Sequence, residues 1–201
     1  MSTKSVHEDD QTADGRRQRS SRSRARVLDA IYEVFADADL DVTPEHIAAR
    51  AGVSLSTIRR HFGDIPRLSH AMREHILGRI LPILQSPPST GSREQRLRAV
   101  VACRREVFEI VMPGMRATPI GERGGAARAR ADRKELESVL RAHLTATFPD
   151  ELSGEKGLLR GEMLSAILSF GAWEHLRTVR ELDPERCAEL LERAARPLLD
   201  D

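Results

Sequence analysis

The 201-residue sequence predicts an all-α fold: an N-terminal three-helix module containing a helix-turn-helix, followed by a larger helical domain. Three observations predict it. From residue 20 onward apolar residues recur at three- and four-residue spacing, the period of a helix with one buried face. No segment alternates apolar with polar residues as a half-buried strand would. Prolines and glycines gather at 85–92 and 113–125, where they break the helical pattern into segments.

Residues 1–14 are polar, with Glu8, Asp9, Asp10 and Asp14, and read as disordered. Gly15–Arg26 carries Arg16, Arg17, Arg19, Arg22, Arg24 and Arg26 among Ser, Gln and Ala. Such a run suits an arm lying along phosphates or entering a minor groove; otherwise it is a solvated extension of the first helix. Residues 1–19 are assigned to this arm and 20–65 to the three-helix module. In the first helix, about 20–38, Val27, Leu28, Ile31, Val34 and Phe35 form the apolar stripe, with Tyr32 in that packing or at its rim.

The module is organised around residues 43–62. Thr43 can N-cap a helix and Pro44 can take its first position, where a missing N–H costs nothing. Ile47, Ala48 and Ala51 share a face, and Gly52 can end the helix in a left-handed conformation. Ser54 can cap a second helix in which Ile58 and Phe62 face inward with Val53. Leu55, Ser56, Thr57, Arg59, Arg60 and His61 are left around its exposed part. Two short helices about a glycine turn, the second rich in donors, match a helix-turn-helix that reads DNA.

Beyond the module, residues 66–201 read as one helical domain. Pro66 can open a helix with Leu68, Met72, Ile76 and Ile80 stacked, ending near Pro82. Gln85–Ser92 is a loop and the expected hinge. Arg93–Met112 turns Leu97, Val100, Val101, Val107, Phe108 and Val111 inward and is expected to end at Pro113-Gly114. A further helix from about Ala126 carries Leu136, Val139, Leu140 and Leu144, bounded by Pro149. Leu158–Leu182 reads as one long apolar helix, and Asp183-Pro184 starts the last, with Cys187, Leu190, Leu191, Ala194 and Leu198.

Composition excludes several function classes. Net charge is +1, so any nucleic-acid-binding patch must be local. Asparagine is absent, which removes adenine readout through its amide. Cys103 and Cys187 are too far apart for a redox or zinc pair and fit a reducing cytosol. No apolar run approaches the roughly 20 residues of a membrane span, and the N-terminus lacks a signal-peptide core; a cytoplasmic protein without membrane contact is expected. There is no His-Glu-x-x-His, phosphate-binding glycine loop or nucleophile elbow, so no enzyme, cofactor or metal is expected. His143 and His175 lie on apolar helices as core histidines do, Cys103 falls in an apolar run as a structural cysteine does, and Glu106 and Glu109 read as surface charges.

The run Ile47-Ala-Ala-Arg-Ala-Gly-Val-Ser-Leu-Ser-Thr-Ile-Arg-Arg-His-Phe62 resembles the DNA-binding signature of the tetracycline-repressor (TetR) family. The Ala-Gly-Val-Ser core, Thr57 and the His61-Phe62 end are in register. The family usually has Tyr at the position of Arg59 and Lys at that of Ile65, both tending to touch DNA phosphates. The resemblance implies a transcriptional regulator, as a rule a repressor, that leaves a palindromic double-stranded operator when a small-molecule effector binds. It implies DNA contacts from Arg22, Arg24, Thr43, Ser54, Leu55, Ser56, Thr57, Arg59, Arg60 and His61. It also implies an effector cavity among the C-terminal helices, for which Cys103, Val107, Phe108, Met112, Met115, Leu140, His143, Leu144, Ile167, Phe170 and Trp173 are the candidates. A homodimer through the two C-terminal helices is implied too, with Leu190 and Leu191 as expected contacts. Two other classes stay open: a helical interaction protein that has lost specific DNA binding, and a small-molecule enzyme on a helical scaffold.

Overall fold

The computed structural model describes residues 21–34, 44–63, 65–117 and 125–200, and every regular element among them is helical. Helix α1 covers the described residues 21–34. It is followed by α2 (Pro44–Ala51), α3 (Leu55–Phe62), α4 (Ile65–Leu84), α5 (Arg93–Ala117), α6 (Gly125–Thr147), α7 (Gly154–Ile167), α8 (Phe170–Thr178) and α9 (Pro184–Ala195), with a closing 3-10 turn at Arg196–Leu199. Contacts divide the chain into two units, 1–75 and 76–201, so the division falls inside α4. Thr43, Phe35 and the arm residues Arg16, Arg17 and Arg19 lie outside the described residues.

The first unit is built as the apolar spacing predicts. Val27, Leu28, Ile31 and Val34 of α1 are buried, as are Ile47, Ala48 and Ala51 of α2, Ile58 and Phe62 of α3, and Ala71 and Met72 of α4. Gly52 ends α2 at φ 61°, a left-handed backbone that its missing Cβ permits. Two polar contacts brace α1 from outside: Arg50 Nε donates to Glu33 at 3.2 Å, and His75 Nε2 lies 2.9 Å from Asp29 Oδ1. Both are surface contacts and add little.

In the second unit α5 is the central helix. Leu97, Val100, Val101, Val107, Phe108, Val111 and Met112 form its buried face, against Ile80 and Leu84 of α4, Leu136, Leu140 and Leu144 of α6, Phe170 and Trp173 of α8, and Cys187 and Leu191 of α9. Phe108 is its aromatic centre, edge-on to Phe170 with centroids 5.6 Å apart and tilted against Trp173 at 5.8 Å. At one end the buried Glu151 ties the elements together. Arg93 Nε and Arg96 Nη2 both donate to its Oε1, at 3.1 and 2.5 Å, and Arg160 Nη1 donates to its carbonyl at 3.0 Å. Burial pushes the Glu151 carboxyl up, but the hydrogen bonds from Arg96, its own backbone and Arg93 together hold it below the usual range.

Three helix boundaries differ from those expected. Helix α4 runs past Pro82 to Leu84. Pro82 and Gly78, whose carbonyl loses its helical partner there, are both exposed, so water can replace the missing bond. Helix α5 likewise continues through Pro113 to Ala117. Here Gly114 packs so closely that a Cβ would come within 2.9 Å of Ile76 Cδ1, and tertiary contact overrides a local stop signal. The expected long helix 158–182 is two helices. Leu168 N–H closes α7 on the Leu164 carbonyl at 2.9 Å, and Ser169 then caps α8, its Oγ accepting the Ala172 N–H at 3.1 Å. The Phe170 N–H goes to Glu137 Oε1 on α6 at 3.0 Å, so a side chain from another helix satisfies an amide freed by the break.

Candidate functional site

The sequence of α3 dictates how it is presented. Ser54 has the extended backbone of an N-cap, and its Oγ accepts the Thr57 N–H at 3.2 Å. The Ser56 and Thr57 hydroxyls lie 2.7 and 3.0 Å from the same oxygen, so three hydroxyls cluster at the helix start. Ile58 and Phe62 fix the buried side. Ser56, Arg59 and Arg60 are then exposed, with Leu55, Thr57 and His61 half-exposed beside them. Among the described residues neither Arg59 nor Arg60 has an ion-pair partner, so both guanidinium groups face solvent with their donors available.

Basic groups from two further helices join this face. Arg24 of α1 sits over the Phe62 ring, 5.6 Å from its centroid, and Arg22 is exposed two residues earlier. Helix α3 ends at Gly63, φ 72°, and the Arg67 side chain of α4 passes so close that a Cβ there would meet its Cδ at 3.6 Å. Arg24, Arg60, His61, Arg67, His70 and Glu74 line a surface hollow of about 440 Å³. His70 and Glu74 pair across one turn at 3.7 Å. Three arginines, Arg24, Arg60 and Arg67, and one carboxylate, Glu74, thus line the hollow. Of the ten residues expected to contact DNA, the structure brings Arg24, Ser54, Leu55, Ser56, Thr57, Arg59, Arg60 and His61 to one region, places Arg22 on the first turn of α1, and leaves Thr43 outside its description. Arg67 is an addition: its only signal in the sequence was its position two residues after the place where the family carries Lys.

The effector candidates meet in the core of the second unit. Val107, Phe108, Met112, Leu140, Leu144, Phe170 and Trp173 are buried together there, with Met115 and Ile167 half-buried against them. Two polar features are threaded through this core. Trp173 Nε1 donates to Glu109 Oε1 at 2.9 Å, and Arg177 Nε donates to the same oxygen at 2.9 Å. Glu109 is thus an anchor between α5 and α8 and not the plain surface charge its neighbours suggested. On the other side Cys103 Sγ lies 3.7 Å from the Ile83 carbonyl, to which its S–H donates, and 3.9 Å from His143 Nε2. Burial pushes the Cys103 thiol up, the state of a structural and not a reactive cysteine. Burial, with Arg104 nearby, lowers the His143 pKa to about 4, so the ring is neutral at physiological pH.

No protein-family model matches the chain, and no curated protein does. Solved structures do match. A Rhodococcus sp. protein described as a TetR-family transcriptional regulator superimposes at TM-score 0.65 and 17% identity, covering 89% of this chain and 100% of its own. A TetR-like transcriptional regulator from Rhodococcus sp. RHA1 gives 0.57 at 19%, covering 89% and 97%. The chain has the TetR-family fold. A transcriptional regulator from Rhodococcus sp. Rha1 is similar in the same way, at 0.60 and 19%, covering 88% and 95%. At these identities it is the path of the backbone that is shared. In that fold α2 and α3 form the helix-turn-helix, with Gly52 at its turn.

Proposed function

We propose that the protein is a dimeric, DNA-binding transcriptional regulator, a repressor released from a palindromic operator by a small-molecule effector, with 20–65 as its DNA-binding and 66–201 as its regulatory domain. The observation that carries this reading is the recognition helix: α3 is capped, anchored by Ile58 and Phe62, and turns unpaired Arg59 and Arg60 to solvent beside Arg24 and Arg67. A solvated helix gains nothing from guanidinium groups held without partners, whereas a phosphate backbone or guanine edge uses every donor. Arg67 offers the charge that Ile65 does not supply. Helix α7 supports the dimer, because Leu158, Leu159 and Met163 are exposed on it. Among the described residues no helix is long and apolar enough to cross a membrane.

Fluorescence anisotropy with the DNA upstream of the protein's own gene tests the reading. Arg59→Ala is expected to weaken binding. If Arg59 holds a phosphate, specific and nonspecific DNA lose alike and the log K against log salt slope flattens by about 1. If it reads guanine, specific sites alone lose, by about 1–3 kcal/mol at one base pair. Wild-type affinity and slope in Arg59→Ala, Arg60→Ala and Arg67→Ala would overturn the DNA-binding face and favour an interaction protein.

A further inference from the structure

Arg104 is a cation inside the regulatory core. It lies on α5 at 2% exposure, one turn from Phe108, in the stripe that otherwise reads Leu97, Val100, Val101, Val107, Phe108 and Val111. Its Nη2 donates to the Leu140 carbonyl at 2.5 Å, while its Nε and Nη1 have no partner. Among the described residues no carboxylate forms an ion pair with it. Glu137 acts on it by charge, but spends its Oε1 on the Phe170 N–H. Burial, in the first place, pulls the guanidinium down to about 10, and it still stays charged at physiological pH.

Three residues beyond Leu140 on the same face of α6, His143 is buried too. Its Nε2 faces Cys103, and its Nδ1 has no partner. Arg104 is thus a buried cation short of acceptors, with the neutral His143 ring beside it. Leu144 and Phe108 continue the two faces with apolar surface. Unpaired buried charge is among the most expensive features a core can hold, and an apolar side chain of the same length would fill the site without that cost.

We propose that the effector is an organic acid whose carboxylate pairs with Arg104, with its apolar body in the Phe108–Leu144 region. This rests on the ligand-responsive reading above. One guanidinium matches a monoanion; a doubly charged phosphate would bring in a second uncompensated charge. Arg104 is enclosed, so the acid enters only as α5 and α6 part. Occupancy is thereby coupled to a change of conformation, which is what release from DNA requires.

The test pairs straight-chain fatty acids from hexanoate to palmitate, with benzoate and phenylacetate, each against its primary alcohol, on the full chain. Thermal unfolding and anisotropy on the upstream DNA are read for wild type, Arg104→Met and Arg104→Lys. At least one acid is expected to raise the wild-type melting temperature and weaken DNA binding by about tenfold, where its alcohol does neither. Arg104→Met should melt at or above wild type without ligand, bind DNA normally and ignore the acid; Arg104→Lys should respond at about tenfold higher acid concentration. Alcohols that act as well as acids, no response to any acid, or an Arg104→Lys protein that responds like wild type would each overturn the proposal. If Arg104→Met does not fold, the acid–alcohol comparison and Arg104→Lys decide. Failure of the regulator reading looks different: ligand-free wild type does not bind the DNA, and the melts still report on the acid site.

Discussion

Replacing Leu158 and Leu159 with glutamate is expected to turn the protein into a folded monomer that binds operator DNA weakly, on the order of 100-fold below wild type. These leucines of α7 are 64% and 65% exposed, with Met163 beside them. Covering the remaining surface of each is worth about 1–2 kcal/mol, and two-fold symmetry counts every residue twice. Leu190 and Leu191, the contacts expected from the sequence, are poorer probes. Leu191 is 5% exposed and belongs to the core of its own protomer, so a glutamate there unfolds before it dissociates. The free face of α9 is charged, with Arg186 and Arg193 each paired to Glu189 at 2.5 and 2.7 Å and Leu190 half-exposed among them. Sedimentation and anisotropy check the outcome together. A Leu158→Glu, Leu159→Glu protein that sediments as an unchanged dimer removes α7 from the interface.

The same helix supplies the second large effect. An alanine Cβ at Gly157 would lie 2.4 Å from the Leu152 carbonyl carbon and 2.8 Å from its oxygen, a backbone collision that no rotamer relieves. Gly157→Ala therefore forces α7 away from the turn that follows α6, at a cost of about 3 kcal/mol. For a chain of this size the melting temperature should fall by about 6–12 °C. Gly161, one turn later, is the control: the nearest atom to its Cβ would be Leu152 Cδ2 at 3.9 Å. Gly161→Ala should be neutral or raise stability by about 0.5–1 kcal/mol, because alanine loses less entropy in a helix. Thermal unfolding by circular dichroism compares them. Equal melting temperatures would mean that α7 shifts freely against the turn.

By itself the sequence determined the helical class, the helix-turn-helix and the orientation of its second helix. Those follow from local rules: a serine cap at Ser54, a left-handed glycine at Gly52, and Ile58 and Phe62 four residues apart leave Arg59 and Arg60 no side but the outer one. The apolar stripe of α5 was legible in the same way, and it held the signal for Arg104. That residue lies on the stripe, next to Arg105 and Glu106, and nothing local separates it from its charged neighbours. Only the tertiary structure decided where helices end against their local signals. Pro82 and Pro113 stay inside helices because water or a packed neighbour offsets one lost hydrogen bond, and 158–182 breaks at Ser169 because Glu137, distant in sequence, takes up the freed amide. It also decided which apolar residues remain exposed. Leu159 and Met163 follow at helical spacing in a stretch that reads as core, but they are 65% and 45% exposed, whereas Leu164, off that line, is fully buried. Periodicity fixes the angle of a side chain about its own helix, whereas burial depends on which other helix arrives on that side, a matter of contacts between residues far apart in the chain.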